Sequence, residues 1–270
     1  MALAAYRQSE ALLEELQLIG SLSEAEVANK LGNYYREFKD YEMAQGYLDR
    51  ALHLRLQYDE EPEKIADVYN NLGTCWNASG DFEKALDYHQ RALTIRSEHL
   101  PTPHPDIAQS YNNIGISLVS EGNPEAALEA YRQAFQHYQT YYEEDHPDLA
   151  DVYVNMGDAH QKLNKPELFL AYQNMALQIY EKNVERNHSS IALCYNNLGN
   201  AHHAGGDTRQ AKYFHQQALR IRMEKYGDIH PDVAQSLFNL AVLANLSDQQ
   251  EKAIGPGRTI LAAKKNDLQV

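Results

Sequence analysis

The chain has 270 residues and carries 24 Lys and Arg against 38 Asp and Glu, a net charge of −14 at pH 7. Nucleic-acid binders neutralise phosphates with clustered Lys and Arg; there is no basic stripe here, so no nucleic-acid partner is expected. No apolar run approaches the roughly 20 residues that cross a bilayer, and MALAAYRQSEALLEEL is too acidic for a signal peptide, so a cytoplasmic chain without membrane insertion is expected.

Residues 1–20 read as an N-terminal capping helix or half repeat, because Ala2 and Tyr6 fall where the small residue and tyrosine of a second repeat helix would stand. Residues 21–252 form a repeat array. Gly73, Gly115, Gly157 and Gly199 recur at 42-residue steps, with Gly32 41 residues before Gly73 and Ala241 one step after Gly199. The units run from about 23–64 through 65–106, 107–148, 149–190 and 191–232 to 233–252. Residues 253–270 read as a degenerate C-terminal helix and tail, since Gly255-Pro256-Gly257 interrupts the last second helix and proline removes a backbone donor. Cys75 and Cys194 sit at different slots of helical segments and read as packed free thiols.

The unit 107–148 shows the plan. Ala108, Tyr111, Ile114 and Leu118 recur at three- and four-residue spacing, an apolar helical stripe that defines a helix A. The stripe stops at Glu121-Gly122-Asn123, where glycine can close a helix in the left-handed conformation, and Pro124 opens the next one. Matching slots hold Gly80, Asn164 and Gly206, while Lys39 suits that backbone less well. Ala127, Leu128, Tyr131, Ala134 and Phe135 give a helix B, so the unit is a helical hairpin. Gly115, Ala127 and Ala134 recur as Gly73, Ala85 and Ala92, letting two helix axes approach to about 8 Å. Tyr69, Tyr111, Tyr153 and Tyr195 share one slot on helix A and are expected to be buried, with Tyr153→Ala costing roughly 3–5 kcal/mol.

These aromatic, apolar-Gly and Ala slots resemble the tetratricopeptide repeat, in the 42-residue form of kinesin light chains. The resemblance implies an all-α fold, an α-solenoid in which about six hairpins stack into a right-handed superhelix, with helices A lining a concave groove that holds peptides. A carboxylate-binding subclass of the family adds lysines and an arginine to its asparagines. Here Asn33 and Asn71 fit, but Asn29, Gln109 and Asn113 stand where basic residues would be needed, so capture of a terminal carboxylate is not expected. An acidic-ligand preference is likewise not expected of so acidic a chain.

Asn71, Asn113, Asn155, Asn197 and Asn239 lie two residues before the small slot, on the side away from the tyrosines. Asparagine is a middling helix former, so five at one helical slot want a reason. An amide offers two donors and an acceptor and so matches the peptide bond of an extended ligand. Asn70, Asn112, Asn196, Asn33, Asn77 and Asn200 widen the strip, and Lys30 and Arg36 are basic residues on the same side of the first unit. The other reading is that the amides bond neighbouring helices and set the pitch of the stack. His104, His146, His188 and His230 recur, mostly as His-Pro-Asp, and read as starts of helix A, because equivalent slots about 8–10 Å apart cannot share one metal ion. No phosphate loop, nucleophile elbow or distinguished carboxylate pair is present, so neither catalysis nor a metal or other cofactor is expected. The expected function is a non-catalytic adaptor that binds a peptide segment of a partner. The alternative is a structural module that self-associates through the solenoid ends or joins a larger assembly.

Overall fold

The computed structural model describes residues 19–58, 61–142, 145–185 and 188–245. The expected N-terminal cap and the segment around Gly255 lie outside them. The chain divides into two compact units, Met1–Lys165 and Pro166–Val270. The first contains α1 (Leu22–Glu37), α2 (Tyr41–Gln57), α3 (Pro62–Ser79), α4 (Phe82–His99), α5 (Pro105–Glu121), α6 (Pro124–Tyr141) and α7 (Pro147–Lys162). The second contains α8 (Pro166–Asn183), α9 (Ser189–Ala204), α10 (Thr208–Tyr226) and α11 (231–245). Among the described residues the fold is all-α, and the odd-numbered helices up to α9, with α11, carry the helix A pattern.

Four described hairpin turns combine one left-handed residue with one cap, and Asn164 takes the left-handed conformation at φ 55° with Lys165 after it. Gly80, Gly122 and Gly206 have φ of 94°, 98° and 81°, and the next residue, Asp81, Asn123 or Asp207, accepts a hydrogen bond from the backbone N–H three residues on. Such a cap satisfies one of the donors that every helix start leaves orphaned. Lys39 takes the same conformation at φ 62°, with Asp40 as cap, so the turn geometry overrides the side chain's preference. The histidines cap the A helices: Nδ1 of His104, His146, His188 and His230 accepts from the backbone N–H two residues later.

Helix A meets helix B where glycine removes a side chain. A Cβ built on Gly73 or Gly199 would stand 2.7 Å from the ring of His89 or His215, and one on Gly32 would stand 2.5 Å from Leu48. Gly115 lies against the Tyr131 ring in the same way. The residue sixteen positions after the glycine is thus the central plug of each hairpin, and all four plugs are buried. Ala44, Ala51, Ala85, Ala92, Ala127, Ala134, Ala211 and Ala218 line the same seam fully buried.

The tyrosine slot corrects the sequence expectation. Tyr69, Tyr111, Tyr153 and Tyr195 are only half-buried. Each leans on a ring of helix B, Tyr69 on Tyr88 at 6.0 Å, Tyr111 on His137 at 5.8 Å, Tyr153 on Phe135 at 5.3 Å and Tyr195 on Phe214 at 6.1 Å. The glycine brings the plug, not the tyrosine, to the centre of the seam, so the tyrosine stays at its edge.

Arginine ties one hairpin to the next. Arg96 on α4, 3% exposed, donates to Asp67 Oδ1 on α3 at 2.9 Å and to the Asp106 carbonyl and Ser110 Oγ on α5, both at 2.9 Å. One guanidinium thereby joins three helices. Arg55 on α2 makes the equivalent bond to Glu26 on α1 at 2.8 Å. Arg222 on α10 repeats the pattern toward α11, donating to the Asp232 carbonyl at 3.0 Å and Ser236 Oγ at 2.7 Å.

Three outcomes test this packing. Lys39→Gly should raise stability by about 0.5–1 kcal/mol, read from denaturant melts, because the left-handed strain disappears. Tyr131→Ala should cost roughly 3–5 kcal/mol and Tyr153→Ala clearly less. Burial holds the His89 imidazole neutral and lowers its pKa from 6.5 to about 4. The unfolded chain therefore binds a proton first as pH falls, and stability held above about 6.5 is lost on the way down to about 4. His89→Leu, the residue present at Leu48, should reduce the loss between pH 7 and pH 4 by roughly 2–3 kcal/mol in melts at both pH values.

Candidate functional site

The asparagines at the expected slot are half-buried rather than exposed, and four of the five, Asn71, Asn113, Asn155 and Asn239, reach back to the preceding A helix. Nδ2 of Asn71 donates to Asn29 Oδ1 at 3.0 Å, Nδ2 of Asn113 to Asn70 Oδ1 at 2.7 Å and Nδ2 of Asn155 to Asn112 Oδ1 at 2.8 Å. In the second unit Nδ2 of Asn239 donates to Asn196 Oδ1 at 3.0 Å. The slot that supplies Asn70, Asn112 and Asn196 holds Val154 in the 149–190 repeat, and Asn197 donates instead to Gln173 Oε1, at 3.4 Å. The strip is thus a set of amide pairs, donor on one repeat and acceptor on the one before.

This arrangement uses one N–H of each donor amide. The Oδ1 atoms of Asn71, Asn113 and Asn155 take no hydrogen bond from a described residue, so an acceptor and the second N–H of each remain for a ligand. Pairing also fixes the orientation of each amide. A free asparagine rotates about χ2; one anchored through Nδ2 presents its oxygen in a set direction, which lowers the entropy lost on binding.

The widening residues separate. Asn33 and Asn77 are half-buried, and Oδ1 of each is buried without a partner, as are Arg36 Nε and Trp76 Nε1 on the same two helices, α1 and α3. Asn200 is exposed. Lys30 is exposed and pairs with Glu26 at 3.3 Å, a weak tie between solvated side chains. Of the two basic candidates, Arg36 is half-buried with its Nε unpartnered and Lys30 is exposed.

Two members of this region escaped the sequence reading. Gln173, fully buried on α8, serves as amide acceptor; Val154, between Asn112 and Asn196 in the same slot, was its available sign. Asp158 sits one residue after the glycine slot, where Asn33 and Asn200 stand in other repeats. Burial pushes its carboxyl up to about 6, only partly offset by Lys162. Cys75 and Cys194 are free and buried. Among the described residues no three metal-ligating side chains converge, and no helix is long and apolar enough to cross a membrane.

Known proteins with similar folds share this hairpin plan. The chain matches BtubC (BKLC) from P. vanneervenii at a TM-score of 0.67 and 21% identity, over 84% of this chain and 92% of that one. A Podosopora anserina putative kinesin light chain with nearly identical repeats matches at 0.58 and 16%, over 74% and 95%. A Rap protein complexed with Competence and Sporulation Factor matches at 0.70 and 17%, over 90% and 69%. No curated protein sequence matches the chain. The profile of the tetratricopeptide repeat matches residues 23–98, 64–140, 106–182 and 169–224, and with that coverage the chain belongs to the tetratricopeptide repeat family.

Proposed function

We propose that the chain is a non-catalytic adaptor that holds an extended segment of a partner protein along the amide face of its A helices, in the cytoplasm. The observation that carries this reading is the regular set of amides with anchored Nδ2 and open Oδ1. Adjacent packed helices lie about 8–10 Å apart, and an extended chain rises about 3.3 Å per residue, so one repeat matches about three ligand residues. Peptide N–H groups of the ligand would donate to Oδ1 of Asn71, Asn113 and Asn155 in the first unit. Asn70 and Asn112 would lie beside them. In the second unit Asn197 would serve, with Asn196 and Asn200 beside it, and Asn239 would first have to release the bond its Oδ1 accepts from Gln235 Nε2 at 2.9 Å. Asn33, Asn77, Arg36 and Lys30 would contact ligand side chains at the first repeat. A protein of similar fold, a Rap protein, is solved in complex with Competence and Sporulation Factor.

A second reading, self-association, is favoured by one observation. Leu237 and Phe238 on α11 are 51% and 64% exposed, an apolar pair near the end of the described array. Light scattering across concentration tests it: a mass that stays constant rejects self-association.

The amide reading makes a divided prediction. Asn113→Ala with Asn155→Ala removes donor and acceptor together, so it should weaken a peptide selected from a random library at least about tenfold and cost roughly 1–3 kcal/mol of stability. Asn155→Asp keeps an acceptor but loses the Nδ2 bond to Asn112 that orients it, so stability should fall and peptide affinity should drop less than in the double alanine variant. Calorimetric titration and melts on both variants check this; affinity that survives the double alanine change rejects the amide face.

A further inference from the structure

Of the three buried arginines of the inter-repeat ties, Arg55, Arg96 and Arg222, the first two meet a carboxylate. Glu26 occupies that slot for Arg55 and Asp67 for Arg96. In the 191–232 repeat the slot holds Leu193, 44% exposed, and Arg222 keeps its bonds to the Asp232 carbonyl and Ser236 while no described carboxylate pairs with it. Arg222 is 8% exposed, so its charge is nearly desolvated, and a buried charge without a counter-ion is costly.

A second acid is missing beside it. The first turns of α1, α3, α5 and α7 carry Glu24, Glu63, Asp106 and Asp148, and that of α9 carries none, beginning Ser189-Ser190. A cavity of about 270 Å³ opens here, lined by Ser189, Ser190, Leu193, Arg222, Lys225 and Asp232 among others. Lys225 Nζ donates to Ser189 Oγ at 3.2 Å on its rim. Asp232 does not close the site to anions, because Asp106 stands at the same slot beside the intact Arg96–Asp67 pair.

We infer that this cavity takes the carboxylate of an aspartate or glutamate side chain from a partner protein, seated on Arg222 as Asp67 is seated on Arg96. Arg222 supplies the guanidinium donor left after Nη1 bonds the Asp232 carbonyl and Ser236, Lys225 a second charge and the Ser189 and Ser190 hydroxyls further donors. The chain's overall acidity does not oppose this, since charges beyond about 10 Å are screened while the arginine acts at contact. The inference goes beyond the amide face and rests on none of its residues.

The test is a titration of isotope-labelled full chain, by nuclear magnetic resonance, with the capped tripeptide Ac-Ala-Asp-Ala-NH2, its Asn counterpart and inorganic phosphate. The Asp peptide should shift the Ser189 and Ser190 amides and the Arg222 guanidinium saturably, with a Kd on the order of 1–10 mM, and the Asn peptide should bind about tenfold more weakly. Leu193→Asp should supply the missing partner from within, abolish the shifts and raise the melting temperature. Leu193→Asn, uncharged and of similar size, should retain binding. No shift with the Asp peptide, shifts with phosphate alone, or binding undiminished in Leu193→Asp would overturn the inference.

Discussion

The close approach of helix A to helix B at one glycine per repeat is the contact on which the remaining structure depends. With no Cβ at Gly73, Gly115 or Gly199, the backbone of helix A lies directly on the plug residue of helix B, and neighbouring alanines keep the axes close. A hairpin this thin has two apolar faces and covers only one by itself. The other face must be covered by the next repeat, so the spacing of small residues within one unit also obliges the units to stack.

Stacking leaves polar groups between repeats that need partners, and the chain meets that need with side chains at repeat spacing. Arg96 and Arg222 hold carbonyls near the first turn of the following A helix, where Asp106 and Asp232 follow their capping histidines. The asparagine pairs join the middles of the A helices. Both devices set how one repeat sits on the next, and both place chargeable or amide groups at the boundary where a ligand could compete for them. An amide anchored through Nδ2 is also an amide whose Oδ1 is held in a set direction.

The plug slot shows how tolerant such a seam is of chemistry and how intolerant of size on the glycine side. Leu48, His89, Tyr131 and His215 all fill it, with Gly32, Gly73, Gly115 and Gly199 opposite. The cost of placing imidazoles there is electrostatic, since burial holds His89 in its neutral form.

Periodicity by itself determined the helical hairpins, because a 42-residue recurrence of glycine, alanine and aromatic residues has one economical solution in helices. It also marked the asparagine strip and the histidine helix starts. What only the tertiary structure decided was where those side chains aim. Repeat spacing places Asn113 and Asn70 on neighbouring helices, yet their pairing at 2.7 Å depends on the rotation of one helix against the other. The same holds for the tyrosines, which share an apolar slot but lie at the seam's edge, and for Lys39, whose left-handed turn follows from the helices on either side of it. Slot identity is a one-dimensional quantity carried by the sequence; burial and bonding arise from the approach of two surfaces, which no single repeat encodes.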